Sequence, residues 1–200
     1  MSDPFAISFA GIAGTLFLAE LTDKDALLLL TLASRSRALN VFLAGATAFV
    51  CTTTLFVALG TLVIAVVPIL WVRVAGGVVM LSYGFWEMKG LVGQRVVERE
   101  EGAIEASGRG LRSFLTMVGA LALLDIAGDA TEVLTIVFVA QYSDALLVFS
   151  AACVGLIAAA AVETTLGNRL GKLLTPTRVR YVAIAVFLLL GSFILLSTLL

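Results

Sequence analysis

The chain has 200 residues, of which 60% are hydrophobic and only 14% charged, against roughly a quarter charged in an ordinary soluble domain. A soluble core of this size cannot hide so much apolar side chain, so a bilayer has to cover the remainder. The net charge of −1 conceals clustered basic residues. No basic domain or aromatic-studded basic face marks a nucleic-acid partner, and the absence of His removes the commonest catalytic base and transition-metal ligand.

The N-terminus Met1-Ser2-Asp3-Pro4 has no basic segment, and Glu20 and Asp23 interrupt the first apolar run, so a cleavable signal peptide is not expected here. About 20 apolar residues cross the hydrocarbon core, and six stretches qualify: Phe5 to Ala33, Val41 to Val67, Val72 to Trp86, Leu115 to Tyr142, Ala145 to Leu166 and Tyr181 to Leu200. The third is short and is extended by Met88 and Leu91. The expected fold is therefore an all-α membrane protein of six helices.

The connections are compact except for Lys89 to Arg112, a polar segment of mixed charge with Gly102, Gly108 and Gly110 that reads as a loop joining two halves. Alternate connections carry Arg35 and Arg37, then Lys89, Arg95, Arg99, Arg109 and Arg112, then Arg169, Lys172, Arg178 and Arg180, while the opposite side has only Arg73. Positive charge stays on the cytoplasmic side, so both termini are expected outside.

The halves also resemble each other. Val72-Arg73-Val74-Ala75 pairs with Val179-Arg180-Tyr181-Val182 at a shift of 107 positions, which also superposes Gly60 on Gly167 and Gly84 on Gly191. Three spans per half is an odd number, so the second copy lies inverted, a plan of secondary transporters that places the substrate site at the repeat interface near the midplane. The expected organisation is a first repeat over 1–88, a cytoplasmic linker over 89–112 and a second, inverted repeat over 113–200.

Spans one and four carry the chemistry. Glu20, Asp23, Lys24 and Asp25 lie inside the first, and Asp125, Asp129 and Glu132 inside the fourth. On continuous helices, Glu20, Asp23 and Lys24 share one face, as do Asp125, Asp129 and Glu132. Charge at this depth costs several kcal/mol. Lys24 is the only cation in either span, so an ion-pair network accounts for part of the acids; a helix break reaching water would account for others. Oxygen donors without His suit hard cations such as Ca²⁺, Mg²⁺ or Mn²⁺, and protons can replace the metal when it leaves. Thr22, Thr131 and backbone carbonyls near Gly128 add neutral oxygens.

Glu20-Leu21-Thr22-Asp23-Lys24-Asp25 resembles the E-x-G-D-K-T/S signature of the small Golgi-type manganese/calcium transporters and their bacterial relatives, in the lysine-exporter superfamily. The resemblance implies two copies of the motif in inverted three-helix repeats, moving Mn²⁺ or Ca²⁺ out of the cytosol against protons. It matches Glu20 and Asp23 to the first motif's acidic pair, Lys24 to its basic residue, and Asp129, after Gly128, to the second motif's Asp. Thr22 stands where the family has Gly, Asp25 replaces Thr or Ser, and Ala130 the second basic residue. Ile126 takes the place of the second Glu, with Asp125 one position earlier, and Glu132 is an additional acid.

The expected metal ligands are Glu20, Asp23, Asp125 and Asp129. Asp25 and Glu132 serve as extra ligands or proton carriers, and Lys24 as the counter-ion that holds the empty site together. Glu163 reads as an interfacial group near Arg169, with a ligand as the alternative, and the Thr52-Thr53-Thr54 run as threonines bonded to their own helix or facing the site. Cys51 and Cys153 read as buried thiols, with a soft-metal pair as the sharper alternative.

Gly45-Ala46, Gly76-Gly77 and Gly119-Ala120 read as small patches for close helix approach. No prosthetic group and no enzymatic constellation is expected; the partners are a divalent metal ion, protons and the lipid bilayer, in a multi-pass protein of the prokaryotic inner membrane, with a homo-oligomer left open. Export of an amino acid or other organic cation, and a cation channel, remain the alternatives.

Overall fold

The computed structural model describes residues 4–21, 23–88, 110–126, 130–170, 188–189, 192 and 194–196. Within them every regular element is a helix: α1 (Pro4–Glu20), α2 (Lys24–Arg35), α3 (Ala38–Val66), α4 (Ile69–Met88), α5 (Leu111–Ile126), α6 (Ala130–Tyr142) and α7 (Ala145–Leu170). Residues 89–109 of the polar linker and most of the sixth expected span lie outside the described residues.

Local chemistry sets the helix ends. Pro4 opens α1, where its missing N–H would be unsatisfied anyway. Pro68 separates α3 from α4, and its carbonyl accepts from the Trp71 amide at 3.0 Å to start the new helix. Ser143 adopts φ 51°, turning the chain sharply after α6. The Asp144 carboxylate then caps α7 by accepting from the Leu146 and Leu147 amides at 3.1 and 3.0 Å. The uncharged stretch of α3 makes it a 29-residue helix, about 43 Å long at 1.5 Å per residue and ample for the hydrocarbon core.

By length and apolarity α3 and α7 can each cross a membrane, and α1 with α2 makes a third span if the bent pair counts as one. The first and fourth expected spans are not continuous helices. α1 and α2 meet at a bend of 67°, with the Asp23 amide donating to the Glu20 carbonyl at 3.0 Å across the break. α5 stops at Ile126 and α6 starts at Ala130. Glu20, Asp23 and Lys24 therefore do not share a helix face; the first ends α1 and the others stand at the break and the start of α2. Asp125 and Glu132 likewise belong to different helices. Thr and Asp side chains compete for backbone hydrogen bonds, so the residues that supply charge also favour the interruption.

The packing has an exchange pattern. α1 and α2 both pack on α7, while α5 and α6 both pack on α3, and α3 packs on α7. Each broken helix pair thus leans on the long helix of the other half. Close approach repeats the pattern: a Cβ on Gly60 of α3 would lie 3.1 Å from Val139 Cβ of α6, and one on Gly167 of α7 would lie 2.4 Å from the Leu30 carbonyl oxygen of α2. These are the two glycines that the 107-residue shift superposes.

Of the expected small-residue patches, Gly45 and Gly76 meet Leu29 and Val137, whereas a Cβ on Gly119 would meet nothing within 4 Å. Gly155 approaches backbone as tightly as Gly167 does: its Cβ would lie 2.4 Å from the Ala13 carbonyl oxygen of α1. The outward faces of the long helices are apolar, with Leu39, Leu55, Leu62 and Val154 exposed. Cys51 is exposed on α3 and Cys153 partly so on α7, a correction to the expectation of buried thiols: the apolar run at each is wider than the core it faces, and lipid covers the rest.

Candidate functional site

The two helix breaks and α7 bring acidic groups together inside the protein. Glu20 and Asp25 are fully buried, and Asp23, Asp125 and Glu163 are no more than 2% exposed. Asp125, Asp25, Asp23 and Glu163 all act electrostatically on Glu20, and Asp23 also acts on Glu163. Three of the expected ligands, Glu20, Asp23 and Asp125, therefore meet in one neighbourhood with Asp25 beside them. Glu132 is 6% exposed in the first turn of α6. Asp129, Thr22 and Gly128 lie outside the described residues, and of Lys24 only the backbone, opening α2, is described.

The interruption between Glu20 and Lys24 leaves Glu20 at the end of α1, Asp23 on non-helical backbone and Asp25 in the first turn of α2. A continuous helix would spread Glu20 and Asp25 to different faces. Irregular backbone at membrane depth is tolerated where protein surrounds it or it lines a cavity. Here the core residues Ile12, Leu16, Leu121 and Leu124 stand in the turns leading up to the acids.

Thr52 supplies a neutral group. Its hydroxyl lies 2.5 Å from an Asp125 carboxylate oxygen, donating across the α3–α5 contact, and also lies 3.1 Å from the Ala48 carbonyl. Both readings of the threonine run are realised, and Thr52 combines them. Thr52 and Thr53 are buried towards the interior, while Thr54 is exposed and donates to the Val50 carbonyl at 2.6 Å. Thr52→Val keeps the shape and removes the donor. It is expected to destabilise the protein by about 1 kcal/mol, the scale of a cross-helix hydrogen bond in a membrane protein. Denaturation midpoints in detergent check this, and an unchanged midpoint would assign the hydroxyl to Ala48 alone.

Glu163 departs from its expected place. It is not an interfacial group near Arg169: Arg169 is exposed, whereas Glu163 is buried beside Glu20 and Asp23. The sequence signal that could have found it is the length of the apolar run, because Glu163 is the only charge between Ala145 and Gly167. Its place on the inner face follows from α7 packing with both α1 and α2.

Among the described residues, no three carboxylate or thiol side chains converge tightly enough to enclose an ion as they stand. The acids are buried oxygen donors contributed by several helices and the first break. A pocket of about 290 Å³ opens between Ala38, Leu39 and Phe42 of α3 and Ala161, Thr164 and Thr165 of α7. None of the carboxylates lines it.

A family model described as divalent cation/proton antiporter GDT1 matches residues 8–94 and again 113–200. No curated relative and no solved structure matches the chain. The two matched segments correspond to the two halves suggested by the residue shift, and they contain the two acidic breaks. The chain therefore belongs to the GDT1 family of divalent cation/proton antiporters.

Proposed function

We propose that the protein exports Mn²⁺ or Ca²⁺ from the cytoplasm of a prokaryotic cell in exchange for protons, through the carboxylates between its halves. The observation that carries this reading is the burial of Asp23, Asp25, Asp125 and Glu163 around Glu20. Oxygen donors of this kind match hard divalent cations. Their summed negative charge also needs positive charge whenever the metal is away, and protons supply it.

In this reading the chain crosses the membrane six times as two inverted repeats, 1–88 and 113–200, joined by a cytoplasmic linker at 89–112. Both termini lie outside. The exchange pattern of helix contacts supports the two-fold relation, and the start of α3 lies by the end of α7 across one pocket, as inversion requires. Arg35, Arg37, Arg112 and Arg169 are exposed at helix ends assigned to the cytoplasmic side. Glu20, Asp23, Asp125 and Asp129 ligate the ion, with Asp25 and Glu132 as further ligands or proton carriers and Lys24 as counter-ion of the empty site. Rocking of one repeat against the other exposes the site to each side in turn.

Purified protein reconstituted in proteoliposomes, with Mn²⁺ and Ca²⁺ flux followed with and without a pH gradient, tests the reading. Saturable flux of one metal, accelerated by an opposing proton gradient, is the expected result. Flux of neither metal under any gradient would reject it and favour an organic cation, while conduction without saturation or proton coupling would favour a channel.

A further inference from the structure

Glu20 ends α1 in the first half and Glu163 stands on α7 in the second. Both are buried, and neither oxygen of either carboxylate has a hydrogen-bond partner among the described residues. The two act on each other electrostatically. The hydroxyls next to Glu163 are engaged elsewhere, since Thr164 donates to the Ala160 carbonyl at 2.7 Å and Thr165 to the Ala161 carbonyl at 2.6 Å.

The two halves treat this position differently. On α3, Thr52 presents a hydroxyl donor to Asp125. On α7 the buried group within electrostatic reach of the first-half acids Glu20 and Asp23 is a carboxylate, which has nothing to donate to them when ionised. A buried polar group without a partner is costly, and a carboxylate more so. Folding gains nothing from such a side chain, whereas a bound cation satisfies it. Two facing glutamates also carry the charge that balances one divalent ion.

We infer that Glu163 is a ligand of the transported cation, closing the site from α7 opposite Glu20 and so bridging the two halves of the protein through the ion. The inference rests on the transport reading above. The ion then sits closer to the first acidic break than to the second, because the first break has a carboxylate partner on the opposing long helix and the second a threonine.

The test is equilibrium binding of Mn²⁺ and of Ca²⁺, each alone, to the purified full-length protein in detergent, together with thermal melting with and without metal. Glu163→Gln keeps the shape and removes the charge. It is expected to weaken binding at least ten-fold and to lose most of the metal-induced rise in melting temperature. Its metal-free melting temperature should equal or exceed that of wild type, which a merely structural glutamate would not give. Glu163→Asp should recover part of the affinity, and Thr165→Val, on the exposed side of the same helix, should bind as wild type. Binding by Glu163→Gln within two-fold of wild type, with Glu20→Gln having lost it, would overturn the assignment of Glu163 and leave the transport reading standing. Wild type that neither binds nor moves either metal would overturn both.

Discussion

Glu20→Gln and Asp23→Asn should each reduce divalent-cation flux by about 100-fold or more while leaving the protein folded. A unit charge about 4 Å from another interacts by about 4 kcal/mol at the effective dielectric of a protein site. Each 1.4 kcal/mol is a factor of about ten in affinity, so loss of one ligand charge weakens ion binding by two orders of magnitude or more. Both substitutions are isosteric, and both remove negative charge from a place where five carboxylates gather, so neither should unfold the chain. Asp129→Asn should behave alike as the motif's second Asp. Proteoliposome flux with size-exclusion profiles of the same preparations separates loss of transport from loss of fold. Near wild-type flux in Glu20→Gln would place the ion elsewhere, because that group is the electrostatic centre of the cluster.

Gly155→Ala should destabilise the protein by about 3 kcal/mol or more, at the upper end of the cost of overpacking. The added methyl would lie 2.4 Å from the Ala13 carbonyl oxygen, a backbone atom that cannot rotate away. Gly167→Ala meets the Leu30 carbonyl oxygen at the same distance. The two glycines lie about 18 Å apart along α7, one against α1 and the other against α2, on either side of the acidic break. Moving either helix outward opens the site between them, so transport should fall with stability. Gly119→Ala is the contrast: a Cβ there meets nothing within 4 Å, and the change should be neutral or stabilise by up to about 1 kcal/mol through helix propensity. Unfolding midpoints of the three variants in one detergent decide the matter. Equal effects at Gly155 and Gly119 would show that propensity alone governs both.

Much of the buried acidic cluster was legible because charge inside a long apolar run is expensive. Glu20, Asp23, Asp25 and Asp125 stood out as acids inside apolar runs, and the structure buries all four. The continuous helices assumed for them were the weak step. Phe5 to Ala33 is apolar on both sides of its charged residues and reads as one span by length, and only the backbone reveals the 67° bend. Glu163 was misplaced for a related reason. Its distance from the end of its run matches that of an interfacial side chain, and nothing local to α7 states which neighbours its face will meet.

The sequence by itself determined the membrane setting, the all-helical class, the two related halves and the family, since each follows from composition, run length or a short contiguous motif. Tertiary structure alone decided where the helices break, that Thr52 turns its hydroxyl to Asp125, and that Gly155 and Gly167 are the closest backbone approaches. It alone decided, too, that Glu163 is buried within electrostatic reach of Glu20. The physical reason is the same in each case. Hydrophobic length and charge are properties of a single segment, whereas the partner of a buried group is a property of two segments far apart in the chain.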